Sequence, residues 1–291
     1  MRPVKPQSFA YVAAGTINAA VRALRDGGED AKVLAGGQSL VPMMNLRLAQ
    51  PSLLVDINPI AALAGVEVGP QRLSLGALVR HRALENGVSP GALGALLSDI
   101  ARHVAEVPVR VRGSVGGSLA HADPVSEWCL VAVALGAEIE LAGPDGRRLV
   151  DAGDFLEGPF STALAPDELI VEIHLPRRPG WSYGFAEHAP THGAFAQAGA
   201  CVGLQLADGV VDRCRIAVMG AAGRAERVRE AEAAATGRPA DAAPAAAAEA
   251  TRDAVAPTGY GDAAADYLRA LAAGMVRRAA AAAVAGTREE P

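Results

Sequence analysis

The chain has 291 residues, enough for one large domain or for two or three smaller ones. Its 27 Lys and Arg against 32 Asp and Glu give a net charge of −5, which argues against a general nucleic-acid-binding protein. Alanine supplies much of the 51% hydrophobic content, and no uncharged apolar run approaches the length of about 18 residues that a membrane span needs. The N-terminus lacks the apolar stretch of a signal peptide, so we expect a cytoplasmic protein.

The first sixty residues predict a small α/β unit. A helix is predicted over 15–27, because Thr16 can cap its start and Ala20, Val21 and Leu24 share one face. Further along, the pattern predicts a strand over 32–34, a short helix over 42–48 and a strand over 53–57.

The middle of the chain predicts an antiparallel sheet with helices. Alternation and turns over 66–79 indicate paired strands, and the apolar spacing around 93–104 indicates a helix. Strict alternation over 137–141, followed by a Pro-Asp-Gly turn at 144–147, is typical of a half-buried strand leading into a hairpin. A last strand is predicted over 169–175, and Pro176 directly after it should end the strand.

A domain boundary is predicted over 176–180. Beyond it, residues 195–206 and 210–219 predict a hairpin around Asp208-Gly209, and helices are predicted over 225–236 and 263–285. The intervening segment 237–259 is rich in Pro, Ala and Gly, and we interpret it as helix ends and connectors.

The three cysteines, Cys129, Cys201 and Cys214, are far apart in the sequence, and none belongs to a C-x-x-C pair. Iron–sulfur clusters and structural zinc sites need fuller sets of suitably spaced ligands. We therefore expect buried, reduced thiols and no metal site in this chain.

Two glycine segments carry most of the functional information. The first spans Val33–Leu40 and contains Gly36-Gly37-Gln38-Ser39, and the second spans Arg112–Ser118 and contains Gly116-Gly117. Neither matches a P-loop, a G-x-G-x-x-G fingerprint or a nucleophile elbow. Either alone is compatible with a tight turn between strands, but together they predict a dinucleotide held between two glycine loops whose N–H groups face phosphate.

The order of the motifs resembles that of a known family, the FAD-binding medium subunits of the molybdenum hydroxylases. This group includes carbon monoxide dehydrogenase and the flavin domain of xanthine dehydrogenase. The resemblance spans essentially the whole chain. It rests on the sequence motifs at residues 34–42, 53–57 and 112–124, and on the C-terminal stretches 237–239, 266–269 and 275–279.

The resemblance implies an α+β fold. Residues 1–176 would form a two-subdomain FAD-binding fold of the vanillyl-alcohol-oxidase/PCMH type, with subdomains of about 1–60 and 61–176. Residues 177–291 would form a small C-terminal domain of the CO dehydrogenase flavoprotein type, with a three-stranded sheet under helices.

The resemblance also implies FAD contacts and no catalytic residue in this chain, because the cofactor carries the redox chemistry. Asp123 and Glu127 would lie near the ribose and adenosine, and Ile170 would pack on the isoalloxazine ring. From its residues alone, Glu127 is equally compatible with an exposed acid at a helix start. The two glycine segments would contact the pyrophosphate and ribose through Ala35, Gly36, Gly37, Gln38, Ser39 and Leu40, and through Ser114, Gly116, Gly117 and Ser118.

The sequence departs from the family pattern at two places. Ser118 stands where asparagine is usual. In the segment 187–195, Pro190 and Thr191 replace a basic pair and Ala194 replaces an aspartate. If that segment holds the flavin edge or docks a partner, its role is altered here.

The resemblance implies a heterotrimer, able to dimerise, with a small iron–sulfur subunit and a large molybdenum-cofactor subunit. Electrons would pass from the iron–sulfur clusters through FAD to NAD, oxygen or a quinone. The altered segment leaves open a stand-alone FAD-dependent oxidoreductase that acts on a small molecule directly. A module that binds FAD without redox turnover is a third hypothesis.

Overall fold

A small parallel sheet opens the computed structural model, which describes residues 5–191, 193–257 and 261–287. Its strands are β1 (Ala10–Ala13), β2 (Ala31–Leu34) and β3 (Leu53–Asp56), in the order β1-β3-β2. The helices are α1 (Ile17–Gly27) and α2 (Leu40–Asn45). The prediction of α1 is confirmed, since Thr16 accepts a hydrogen bond from the Ala19 N–H at 3.1 Å and the predicted face is buried. Strand β1 was not predicted, because this four-residue edge strand is exposed throughout and shows no alternation.

The middle of the chain forms a five-stranded antiparallel sheet in the order β4-β5-β10-β6-β7. The predictions of the strands over 66–79, 137–141 and 169–175 are confirmed. The strands are β4 (Val66–Val68), β5 (Arg72–Gly76), β6 (Glu138–Gly143), β7 (Gly146–Asp151) and β10 (Leu169–Pro176), with a separate ribbon of β8 (Leu156–Gly158) and β9 (Ser161–Thr162).

The middle region also contains helices. They are α3 (His81–Glu85), α4 (Gly91–His103), α5 (Val107–Arg112), α6 (Val115–His121), α7 (Glu127–Leu135) and α8 (Ala152–Phe155). Helix α7 is buried on every side from Trp128 to Leu135, which is why its sequence is apolar throughout and shows no helical period. Its last carbonyls accept hydrogen bonds from the guanidinium groups of Arg178 and Arg215, which suits the negative end of a helix.

The C-terminal region is a second antiparallel sheet, in the order β11-β12-β13-β14, covered by helices on one face. The predicted hairpin is confirmed, with Asp208 and Gly209 both at positive φ, as a two-residue turn requires. The elements are β11 (Ser182–His188), β12 (Ala198–Ala207), β13 (Val210–Met219), β14 (Glu226–Arg227), α9 (Arg229–Ala235), α10 (Ala243–Ala254) and α11 (Asp262–Gly286).

Two expectations for this region need correction. The sheet has four strands rather than three, because the two-residue strand β14 pairs with β13. The segment 237–259 is not only connectors: it contains α10, whose alanines favour helix and whose proline stands in the first turn, where no N–H is needed. Residues 258 and 259 of that segment lie outside the described residues.

The longest helix, α11, has 25 residues and lies on the C-terminal sheet. Gly184 of β11 lets the backbones meet, because a Cβ there would clash with the Ala279 carbonyl group of α11. Within the described ranges, no helix combines the length and the apolar character needed to cross a membrane.

Candidate functional site

The first glycine segment connects β2 to α2 at the carboxyl end of the parallel sheet. Gly37 has a φ of 72°, a conformation that side chains other than glycine rarely adopt. The backbone N–H groups of Gly36, Gly37, Gln38 and Ser39 donate no hydrogen bond to any atom of the described ranges. The segment therefore presents a row of free donors, which suits an anion such as a pyrophosphate.

The second glycine segment runs from the end of α5 into the first turn of α6, and is not a turn between strands. Ser114 caps the helix and accepts a hydrogen bond from the Gly117 N–H at 3.3 Å. The N–H groups of Val115, Gly116 and Ser118 donate to the carbonyls of Val79, Ala77 and Ser114, each at 3.0 Å. Its backbone donors are thus engaged within the chain. The Ser118 side chain is partly buried, whereas the Ser114 side chain is buried, at 2% exposure.

Gly116 serves packing in this turn. A Cβ at this position would lie 2.6 Å from the Ala77 Cβ and 2.8 Å from the Ala77 carbonyl oxygen. Those distances are shorter than van der Waals contact, so only glycine allows α6 to begin so close to the end of β5.

The two glycine segments touch each other, although the first follows a strand of the parallel sheet and the second leads into helix α6. A Cβ on Gly36 would clash with the Arg112 carbonyl oxygen and lie 2.8 Å from the Gly113 Cα. A Cβ on Gly117 would lie 3.9 Å from the Ala35 Cβ. The structure therefore brings the free donors of the first segment beside the capping serine of the second.

Asn58 and Arg80 hold the two segments together, and we name this pair the clamp. The Asn58 amide donates to the Ala35 carbonyl at 2.9 Å. The Arg80 guanidinium donates to Asn58 Oδ1 and to the Arg112 carbonyl, both at 2.5 Å. One connected set of hydrogen bonds thus spans from the first segment to Arg112, the first residue of the second segment.

Asp56, at the end of β3, anchors the clamp. It accepts hydrogen bonds from the Tyr11 hydroxyl and from the Asn58 amide, both at 2.5 Å. Partial burial acts to raise the pKa of Asp56, but these hydrogen bonds and the nearby Arg112 charge outweigh it and hold the pKa below its usual value. Partial burial and the Arg112 charge lower the pKa of Arg80.

Sequence reasoning missed Asn58 and Arg80. The only signal for Asn58 is its position two residues after a buried strand that ends in an acid. For Arg80 no local pattern exists, because its partners are 22 and 32 residues away in the chain.

His81 supports the start of α6 from the interior. A Cβ on Gly113 would lie 2.6 Å from His81 Nε2, so the backbone passes directly over this ring. The ring stacks on Trp128 with centroids 5.8 Å apart. Burial, together with the charges of Arg80 and Arg110, lowers the pKa of His81 to about 4, so this side chain is neutral at physiological pH.

Asp123 lies in the link between α6 and α7, and Glu127 directly follows this link. Asp123 accepts a hydrogen bond from the Val125 N–H at 3.0 Å, which fixes a tight turn. Glu127 is the first residue of α7, and it is partly buried rather than exposed. Burial, helped by the charges of Glu187 and Asp123, raises the pKa of Glu127 to about 7.

His103 and Glu187 complete this acidic cluster. His103 Nδ1 lies 3.1 Å from Glu187 Oε1, and this contact raises the pKa of His103 although burial opposes it. The other carboxylate oxygen of Glu187 is buried without a hydrogen-bond partner in the described ranges. A ligand that offers hydroxyl donors would satisfy such groups.

Stability should therefore depend on pH through Glu127. Its pKa is raised from 4.5 to about 7 in the folded chain, so the folded chain holds a proton that the unfolded chain has lost over that interval. As the pH rises from 4.5 to about 7, the free energy of unfolding should fall by up to about 3 kcal/mol, and it should stay low above pH 7. His103 acts in the same direction, because its pKa is raised.

Chemical unfolding at pH 5 and pH 8 tests this prediction. Glu127→Gln, which cannot ionise, should be more stable than the unaltered chain at pH 8 and nearly equal to it at pH 5. A stability difference that does not change with pH would contradict the assignment of the raised pKa to Glu127.

The remaining predicted residues are placed as follows. Gln38 and Ser39 are exposed, and the Gln38 amide donates back to the Gly36 carbonyl at 3.1 Å. Leu40 is partly buried as the first residue of α2. Ile170 lies on β10 in the main core, only 4% exposed, and a bulge follows it. The structure thus places Ile170 among core side chains, and its contact with a flavin stays a prediction.

The three cysteines are free, as expected, and Cys129 and Cys201 are buried, whereas Cys214 is only partly buried. Burial raises the pKa of the Cys129 and Cys201 thiols to about 12. These two thiols are therefore protonated and unreactive at physiological pH.

These features fit a bound FAD. Free backbone donors at a positive-φ glycine suit a pyrophosphate, and the partly buried carboxyl cluster suits ribose hydroxyls. Residues 7–178 match the FAD-binding domain of molybdopterin dehydrogenases, and residues 183–283 match the C-terminal domain of the CO dehydrogenase flavoproteins. The chain belongs to the FAD-binding medium subunits of the molybdenum hydroxylase-type dehydrogenases. It is an oxidoreductase subunit, and its cofactor is FAD.

Curated relatives agree with the family. Subunit alpha of the 6-hydroxypseudooxynicotine dehydrogenase complex of Paenarthrobacter nicotinovorans is 41% identical over 79% of this chain and 78% of that protein. The carbon monoxide dehydrogenase medium chain of Hydrogenophaga pseudoflava is 36% identical over 94% of this chain and 96% of the relative.

Solved structures agree as well. A chain of the carbon monoxide dehydrogenase of Hydrogenophaga pseudoflava superposes with a TM-score of 0.90 at 38% identity, covering 97% of this medium subunit and 99% of that chain. The α+β fold, a two-subdomain FAD-binding region followed by a sheet with helices, is thereby confirmed.

Proposed function

We propose that this medium subunit holds FAD between the first glycine segment and the first turn of α6. The observation that carries the proposal is the contact between these segments, with four free N–H donors on one side. The N–H groups of Gly36 to Ser39 would bind the pyrophosphate, while Ala35 and Leu40 border it. Ser114 and Ser118 would contribute hydroxyls, and Gly116 and Gly117 would allow the close approach.

The acids of the α6–α7 link would bind the sugar end of the cofactor. Asp123 and Glu127 would accept hydrogen bonds from ribose hydroxyls, which carry no charge to repel a carboxylate. Ile170 would supply an apolar contact near the isoalloxazine ring. We also propose that the FAD-binding region ends within 176–180, which the two family matches support by ending at 178 and beginning at 183.

The subunit would work in a complex with a small iron–sulfur subunit and a large molybdenum-cofactor subunit. Support comes from relatives that are named as the subunit of a dehydrogenase complex and as a medium chain. When bound, FAD would carry electrons from the iron–sulfur clusters to NAD, oxygen or a quinone. The residues of this chain bind and orient the cofactor and need not act as acid or base on a substrate.

The test is an absorption spectrum of the purified chain with FAD, recorded anaerobically before and after NADH is added. Bleaching of the flavin bands would support NAD as the acceptor, by reversal of the proposed step. A flavin that stays oxidised would move the proposal to oxygen or a quinone. Absence of flavin after reconstitution would contradict the proposed contacts.

Copurification tests the partners. A tagged chain expressed with the genes that neighbour its own should elute with larger, metal-containing chains. Isolation of the chain only as a flavin-loaded monomer or dimer that oxidises a small molecule would instead favour the stand-alone oxidoreductase.

A further inference from the structure

Three potential metal ligands converge on one face of the five-stranded sheet. Glu140 lies on β6, and Glu172 and His174 lie on the neighbouring strand β10. The register pairs Glu172 with Glu140, and alternate residues of one strand share a face, so His174 lies on the same side. The side chain of His174 is 4% exposed, against 17% for Glu140 and 30% for Glu172.

The spacing of the three donor atoms fits a metal ion better than a hydrogen-bonded cluster. His174 Nε2 lies 3.5 Å from Glu140 Oε2 and 3.8 Å from Glu172 Oε2, and it forms no hydrogen bond in the described ranges. All three donor atoms lie within 4.8 Å of one another. Two ligands of a tetrahedral ion, each bound at about 2.1 Å, are about 3.4 Å apart, close to the spacing found here.

Neighbouring groups orient both kinds of ligand. Ser74 Oγ, on β5, lies 3.0 Å from His174 Nδ1. An Nδ1–H that donates to this hydroxyl leaves the Nε2 lone pair directed at the two carboxylates, as is usual for a histidine ligand. Arg147 donates to Glu140 Oε1 at 2.8 Å, so the other carboxylate oxygen, Oε2, is the one that faces His174.

Charge favours a cation at this place. Glu140 and Glu172 bring two negative charges, and Arg147 neutralises only one of them. Two further acids, Glu138 opposite His174 and Glu67 opposite Ser74, border the cluster.

We propose that Glu140, Glu172 and His174 bind a divalent transition-metal ion, Zn²⁺ in the first instance, which joins β6 to β10. An imidazole together with carboxylates suits zinc, whereas magnesium and calcium prefer oxygen ligands alone. The sequence alone predicts no metal site in this chain. Glu140 is 32 residues from Glu172, and only the strand register brings the two together.

Zinc binding by the full-length, FAD-loaded chain tests the proposal. The chain is freed of metals with EDTA, the EDTA is removed, and Zn²⁺ is titrated against a competing zinc indicator. One site per chain is expected, and Glu172→Gln and Glu140→Gln should each weaken it at least tenfold. Asp145→Asn, an exposed carboxylate in the turn between β6 and β7, should bind zinc as the unaltered chain does.

A thermal melt provides the second measurement, since Zn²⁺ should raise the melting temperature of the unaltered chain and not that of Glu172→Gln. Both variants are isosteric, and equal melting temperatures in EDTA would show that they fold normally. If the unaltered chain binds no zinc, or if Glu172→Gln binds it equally well, the proposal is overturned.

Discussion

Replacing Gly36 with alanine should lower the affinity for FAD by about 10- to 100-fold. The new Cβ would clash with the Arg112 carbonyl oxygen and lie 2.8 Å from the Gly113 Cα, and both are backbone atoms that cannot rotate away. The first glycine segment must then move off the start of α6. Such overpacking costs about 1–3 kcal/mol, and each 1.4 kcal/mol is about tenfold in affinity. The measurement is FAD titration followed by flavin fluorescence.

Gly274→Ala is the matched control. Gly274 lies within α11, where a Cβ would meet nothing within 4 Å. Alanine there should leave FAD affinity unchanged and keep or raise the melting temperature, because glycine disfavours helix by about 1 kcal/mol. If Gly36→Ala bound FAD as tightly as Gly274→Ala does, the contact between the two glycine segments would not matter for the cofactor.

Replacing Asn58 with alanine should destabilise the protein and weaken FAD binding at the same time. The change removes the donor to the Ala35 carbonyl and one of the two acceptors for the partly buried Arg80 guanidinium. Hydrogen bonds that involve a charged group contribute about 1.5–3 kcal/mol, so we expect the free energy of unfolding to fall by about 2–4 kcal/mol. Affinity for FAD should fall at least tenfold, because the first segment loses its support.

Asn18→Ala controls for the loss of an asparagine. Asn18 is exposed in the first turn of α1, and its side chain forms no hydrogen bond in the described ranges. Its replacement should change the free energy of unfolding by less than about 0.5 kcal/mol. Urea unfolding and FAD titration of both variants make the comparison. An Asn58→Ala protein that lost stability but kept its FAD affinity would show that the clamp serves folding alone.

Local patterns predicted much of the fold correctly. Thr16 and the apolar face behind it predicted α1, and Asp208-Gly209 predicted the hairpin of β12 and β13. The glycine segments pointed to a dinucleotide before any tertiary contact was known, because positive φ and close approach are demands on single residues. The resemblance added the family, and the comparisons confirmed it.

Other features had no local signal. Helix α7 is apolar on every side, and such a run does not distinguish a buried helix from a buried strand. Helix α10 was not predicted, because the Pro, Ala and Gly of segment 237–259 indicated helix ends and connectors. Gly116 was predicted to lie beside the cofactor phosphates. In the structure it permits α6 to pack on Ala77, and its own N–H is bonded inside the chain.

The sequence by itself determined the order of the elements in outline, the two glycine segments and, through the resemblance, FAD as the cofactor. Only the tertiary structure decided that the segments touch, that Asn58 and Arg80 hold them, that Glu127 is partly buried beside other acids, and that Glu140, Glu172 and His174 share a face. Glycine and capping residues act over a few bonds, so their effect can be predicted from the sequence. The contacts between different elements join residues 22 to 76 positions apart, and they depend on strand register and helix packing.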